Sequence, residues 1–343
     1  MKYKYFKKTL AVLISTTIVA NIIFMALTFP ASANVPAFNW YYIRNVNSGM
    51  YLTTESNNTS AIVTQRPFSG SSNQLWYVSK LSNGLHHLAP VSNASSQLIL
   101  CAGDANGTLV QTAPAFHNPV HQEWHIIQNN NGTHRIVPLL STTRVLRPQN
   151  SSTASGAIAE IWNWTGTNGT TSQQWVFEKG RLLNTPLIGQ EMSNWCWAAA
   201  ALMAARTGGT SNRTQNQIVN HVKGTTGTAP NLGATPSETV VAANFASGTS
   251  NYAWEAETYT ATILRVYLNM GRPFIIARGT YNSAGVRTGG HVTVIHGYRE
   301  SGNNFFIQDP LPVGSGTSLT MTHSQIMNSG SSPRWDQTIY RLS

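Results

Sequence analysis

Gln74-Leu75-Trp76, Gln122-Glu123-Trp124 and Gln173-Gln174-Trp175 are three copies of one triplet, Gln-x-Trp, with tryptophans 48 and 51 residues apart. Short apolar runs follow them: Tyr77-Val78, His125-Ile126-Ile127 and Val176-Phe177. Turn-rich sequence precedes them, as in Ser69-Gly70-Ser71-Ser72 and Thr167-Asn168-Gly169-Thr170. Short strands between frequent turn signals predict an all-β domain. A period of this length marks repeated supersecondary units. Three units are too few for a propeller, so three four-stranded units closing on one axis, a β-trefoil, are expected.

These residues resemble the ricin B-type lectin family over about Asn34 to Lys179. In that family the Trp of each triplet packs in the core and the Gln supports a loop beside a sugar pocket. The resemblance therefore implies core roles for Trp76, Trp124 and Trp175. A sugar pocket needs a carboxylate or amide for the hydroxyls and an aromatic face for the ring. The family's usual Asp positions read Thr53, about Cys101, and Arg147 here, and its aromatic positions read Arg66, about Pro114, and Trp162. Repeat three, with Trp162, Asn168 and Gln173, is the best remaining sugar-binding candidate. The alternative is a trefoil kept as a scaffold or for protein docking.

Working outward, the 343-residue chain is 41% hydrophobic but only 10% charged, with a formal charge of +10. That excludes a charged disordered chain and a coiled coil. The Lys and Arg beyond the N-terminus are scattered singly, which argues against a nucleic-acid partner. Lys2, Lys4, Lys7 and Lys8 precede an apolar run from Leu10 to Phe29, then Pro30 and Ala31-Ser32-Ala33. This reads as a secretory signal peptide over residues 1–33, giving a secreted, extracellular protein without stable membrane association once the leader is removed. An uncleaved anchor is the alternative. His86, His87, His117, His121, His125 and His134 show no metal-ligand spacing, and no cofactor is expected.

The second half follows a stretch read as a linker, Lys179 to Pro186, with Gly180 and Pro186 as breakers. Residues 34–180 and 185–343 are thus expected as separate domains. In Gln190-Glu191-Met192-Ser193-Asn194-Trp195-Cys196-Trp197, Ser193 or Asn194 is a good N-cap for an Ala-rich helix running to Arg206 and ended by Gly208-Gly209. Cys196 then sits in the first turn, where orphan amides and the positive dipole end favour a thiolate. Gln190 is near enough to donate to an oxyanion. Gly290-His291 opens a Val-rich strand reaching Gly297-Tyr298, Ser301 to Asn304 turns the chain, and Phe305 to Asp309-Pro310 returns. This hairpin brings His291 near Asp309, whose carboxylate can fix the imidazole tautomer. His296 falls on the opposite strand face and reads as structural. Gln215 to Val222, a helix capped by Ser237-Glu238 and running through Ala246, and Thr262 to Asn269 read as supporting helices, with Phe274 to Arg278 as a strand leading to the hairpin.

These pieces resemble papain-like cysteine peptidases, most closely the bacterial avirulence-effector and bacteriocin-leader-processing types, over about Thr185 to the C-terminus. The resemblance implies an α+β papain-like fold with Cys196 as nucleophile, His291 as general base and acid, Asp309 as orienting residue and Gln190 as oxyanion donor, acting on protein or peptide substrates. The expected whole is a secreted cysteine endopeptidase with a lectin-like trefoil for glycans or a partner. Two alternatives stand. One is a carbohydrate-binding, agglutinin-like protein with an inactive second half, in which Cys196 is buried or bridged to Cys101. The other is a deamidase or transglutaminase using the same triad.

Overall fold

The computed structural model describes residues 39–93, 98–103, 105–115, 118–141, 143–207, 209, 211–328 and 333–342. The expected leader, residues 1–33, lies outside them, as do Asp104, His117 and Gly208. Six strands form a closed barrel: β1 (Asn39–Asn45), β4 (Leu75–Lys80), β5 (His86–Pro90), β8 (Trp124–Gln128), β9 (His134–Pro138) and β12 (Trp175–Leu182). Each pairs with the next in that order, and β12 returns to pair with β1, with Trp175 opposite Asn45 and Lys179 opposite Tyr41. Three hairpins complete the units: β2 (Tyr51–Thr54) with β3 (Val63–Arg66), β6 (Leu98–Cys101) with β7 (Gln111–Pro114), and β10 (Arg144–Pro148) with β11 (Ala159–Asn163). This is a β-trefoil.

The triplets do the same work in each unit. Trp76, Trp124 and Trp175 are fully buried in one core. Their indole N–H groups donate to the Leu52, Leu100 and Leu146 carbonyls at 2.9, 3.1 and 3.0 Å, as a buried indole requires. The Gln74, Gln122 and Gln173 side-chain amides donate to the Pro67, Pro114 and Asn163 carbonyls at 2.9, 2.6 and 2.6 Å. Each triplet therefore locks its barrel strand to its own hairpin.

The first four residues of the stretch read as a linker, Lys179 to Leu182, are strand in the structure. Residues 175–179 of β12 close the barrel, and Gly180 to Leu182 pair with Arg299 to Gly297 of β15 (Arg287–Arg299) in the second half. Gly180 serves close approach rather than chain breaking: a Cβ there would lie 2.5 Å from the Tyr42 ring. Tyr42, Tyr51 and Leu75 of the trefoil pack around Phe306 of the second half. Arg299 donates to the Tyr51 hydroxyl at 2.6 Å and lies 3.9 Å over the Phe68 ring. Arg181 lies 3.8 Å over the Trp40 ring.

The second half sets helices against an antiparallel sheet, the mixed layout of a papain-like fold. The helices are α1 (Cys196–Arg206), α2 (Gln215–Lys223), α3 (Pro236–Ser247), α4 (Ala261–Asn269) and α5 (His323–Met327). The sheet runs β13 (Tyr252–Glu255), β18 (Arg334–Arg341), β14 (Phe274–Tyr281), β15 (Arg287–Arg299), β16 (Asn304–Asp309) and β17 (Thr317–Thr322). Helix α1 is buried from Trp197 to Ala204. Its run of alanines lets it lie close to α3 and β15, as a helix apolar all round must be enclosed. The caps sit where hydroxyls can bond third-residue amides. Thr214 caps α2 and Thr235, not Ser237, caps α3 with Pro236 at its first position. Thr260 caps α4. Among the described residues, no helix is long and apolar enough to cross a membrane.

Candidate active site

Cys196 is the first residue of α1, and the residue before it, Trp195, occupies the cap position without a side-chain cap bond. Ser193 and Asn194, the residues expected to cap, are held elsewhere. The Asn231 side chain accepts from the Asn194 backbone amide at 3.0 Å and donates to the Ser193 hydroxyl at 2.9 Å. The Pro230 and Leu232 carbonyls accept from the Trp195 and Trp197 indoles at 3.0 and 3.1 Å. The turn before the thiol is thus clamped by a loop more than thirty residues away. The amides of Cys196 and Trp197, at the start of the helix, have no intrahelical acceptor and carry its positive dipole end.

His291 stands on β15 opposite Arg278 of β14. Its Nε2 donates to Asp309 Oδ1 at 2.6 Å, leaving Nδ1 as the nitrogen to serve the thiol. Asp309 ends β16, and the same oxygen accepts the Leu311 amide at 2.8 Å. Burial alone would lower the His291 pKa. Hydrogen bonds and charge from Asp309 and from the neighbouring Cys196 reverse that and push it up to about 9. Cys196 and His291 share the wall of a cavity of about 450 Å³ with Trp197, Ala234, Arg287 and Leu311. The structure thus brings three sequence-predicted residues together, by a helix start, a strand and a strand end.

Gln190 takes a different position from the one expected. It is buried, and its Nε2 donates to the Met192 and Ser193 carbonyls at 2.9 and 2.8 Å. Its backbone bonds to Pro310 and Gly314, tying the turn before Cys196 to the loop after Asp309. Both amide hydrogens are spent on that turn, so donation into the cavity requires release of a loop carbonyl. Both cysteines are free, so the alternative of a bridge between Cys101 and Cys196 is not realised. Burial raises the Cys101 pKa. His296 is buried with Nδ1 on the Leu183 carbonyl at 3.2 Å, and burial lowers its pKa to about 4. Among the described residues, no group of three or more His, Cys, Asp or Glu side chains could hold a metal.

The residues read as a sugar site sit in repeat three, each with partners of its own. Trp162 has the Arg147 guanidinium 4.4 Å over its ring, and Arg147 is itself held by buried Glu160 at 2.8 Å. Gln173 is buried, its oxygen accepting from Thr165 and Thr170. Asn168 reaches across to the Asn130 amide of the preceding loop at 3.3 Å. Asn231 and Arg287 carry no local motif and escape the sequence reading, and Asp336 lacks the strand-end context that singles out Asp309. Only the contacts of distant strands and loops reveal them.

Two family descriptions match the chain. Residues 182–340 match the Peptidase_C39 like family, and residues 28–113 match the ricin-type beta-trefoil lectin domain-like family. The chain joins a ricin-type trefoil to a Peptidase_C39-like domain. The Peptidase_C39-like match points to a cysteine-peptidase fold. No curated protein matches the sequence. Solved structures similar to the chain include ThreeFoil, a designed 3-fold symmetric protein, at 24% identity and TM-score 0.37, covering 40% of this chain and 96% of that one. The Macrolepiota procera ricin B-like lectin in complex with lactose is 19% identical with TM-score 0.35, covering 42% and 97%. The Rhizoctonia solani agglutinin is 18% identical with TM-score 0.36, covering 42% and 96%.

Proposed function

We propose that this chain is an exported cysteine endopeptidase whose trefoil docks it to glycans or to a glycan-bearing partner. The supporting observation is the Asp309–His291 hydrogen bond of 2.6 Å beside Cys196 at a helix start in an open cleft. In this reading Cys196 gives its proton to His291 Nδ1, and Asp309 stabilises the imidazolium. The sulfur attacks a peptide carbonyl, forming a C–S bond. The first amides of α1 meet the resulting oxyanion, joined by Gln190 once its amide leaves the Ser193 carbonyl. The C–N bond breaks as His291 returns the proton to the leaving amine, and water then hydrolyses the thioester. The trefoil role is supported by the lectin-like match alone. Export rests on the leader read over residues 1–33.

The test is a thiol-reactive peptidyl probe under reducing conditions, applied to the native protein and to Cys196→Ala. Labelling at residue 196 with peptide cleavage is expected. Absence of labelling overturns the reading, and ammonia release without chain cleavage would replace hydrolysis by deamidation or transglutamination. A glycan array, with Trp162→Ala as comparison, tests the trefoil separately.

A further inference from the structure

The cavity beside Cys196 contains a fixed cation that the triad chemistry does not use. We propose that Arg287 is a specificity-determining residue that selects a substrate carboxylate; this rests on the peptidase reading of the same cleft. Arg287 opens β15, four residues before His291, and both line the cavity. The β14–β15 register shifts beside it, so that Arg287 faces Tyr281 while Gly289 faces Thr280. Such an irregularity re-aims a side chain.

The guanidinium is held by a built seat. Its Nε donates to Asp336 Oδ2 at 2.7 Å, and the Tyr281 hydroxyl donates to the same oxygen at 2.6 Å. Two glycines make the room. A Cβ on Gly279 would lie 2.2 Å from Asp336 Oδ2 and 2.7 Å from Arg287 Nε, and one on Gly290 would lie 2.5 Å from Arg287 Nη2. The guanidinium therefore lies over the residue that precedes His291. Asp336 engages only the inner Nε edge, and the side chain is 36% exposed. The two terminal nitrogens, with four N–H groups between them, are left for a planar anion, the geometry carboxylates accept in bidentate fashion. Among the described residues lining the cavity there is no acidic side chain, and Asp336 sits behind the guanidinium on its Nε edge, so the outer edge is the one open to a substrate carboxylate. An acidic side chain near the scissile bond and the free C-terminus of a short peptide present the same chemistry.

The test measures binding of fluorescent peptides to the Cys196→Ala form, then cleavage by the native chain. Peptide sets differ only in Asp against Asn, or Glu against Gln, at each position, and every peptide is made as free acid and as terminal amide. A preference of roughly ten- to a hundredfold for the carboxylate members is expected, the range of a charge-assisted hydrogen bond. An Asp/Asn difference assigns the site to a side chain; an acid/amide difference assigns it to the chain terminus. Arg287→Gln should abolish the preference, Arg287→Lys should retain part of it, and Arg287→Glu should turn it toward Lys and Arg, with thermal unfolding checking the fold of each. Binding and cleavage indifferent to peptide charge would overturn the inference while leaving the peptidase reading intact. Charge-selective binding lost in Arg287→Gln, without cleavage of any peptide, would uphold the carboxylate site and refute the peptidase.

Discussion

Replacing Asp309 by Asn would separate the charge of this carboxylate from its geometry, because one oxygen accepts both His291 Nε2 and the Leu311 amide. An Asn carbonyl can accept the same two bonds. The His291 pKa stands at about 9 against an ordinary 6.5, despite a burial that pulls the other way. That net rise is roughly 3 kcal/mol in favour of the imidazolium, and Asp309 and Cys196 together contribute more than the net because burial opposes them. Removing the Asp309 charge should lower the upper limb of the kcat/KM profile by about one pH unit or more in Asp309→Asn, and further in Asp309→Ala. The alanine variant also loses ring orientation and should lose roughly 10²–10⁴-fold in rate. The sign is fixed by the raised pKa: the protonated ring's stabilisation is complete below about 6.5 and is lost as pH rises through about 9. The assay is hydrolysis of a fluorogenic peptide from pH 5 to 10, with an NMR titration of the His291 ring. An upper limb that stays at the native pH in both variants would refute the assignment.

Alkylation by iodoacetamide at neutral pH should modify Cys196 and spare Cys101, whose pKa is raised by burial; peptide mapping by mass spectrometry reads this directly. His296, lowered to about 4 by burial, contributes stability in full above about 6.5 and loses it as pH falls through 4, roughly 3 kcal/mol in all. His296→Gln should flatten that acid limb of urea midpoints between pH 4 and 7. Trp124→Ala, which empties a fully buried site and orphans the Leu100 carbonyl, should cost about 3–5 kcal/mol, visible as a lower thermal midpoint. Arg299→Ala removes the donor to the Tyr51 hydroxyl, which keeps its own bond to Glu178, and the cation over the Phe68 ring, and should cost about 1–3 kcal/mol, with calorimetry checking whether the two halves then unfold apart.

The periodic parts of this molecule were legible because repetition and strand alternation are local. Three Gln-x-Trp triplets announced the three units, and the Gly290-to-Asp309 segment announced the hairpin that pairs His291 with Asp309. The start of α1 was less legible. Ser193 and Asn194 have good capping chemistry, but Asn231 takes both, and the helix begins behind Trp195 instead. Gln190 shows the same competition, its amide being claimed by the Met192 and Ser193 carbonyls rather than left for an oxyanion. Gly180 looked like a breaker because nothing local reveals the Tyr42 ring against it. Each departure comes from a partner remote in sequence.

The eight residues of β12 are at once a stave of one barrel and a rim of the neighbouring sheet. A cut between Leu182 and Leu183 would strip the sheet of that rim, exposing the backbone of Gly297 to Arg299 as a sticky border. A shuffled or excised peptidase half must therefore keep these three residues of the trefoil's last strand, and a graft onto another carrier will succeed only if the seam lies upstream of residue 180.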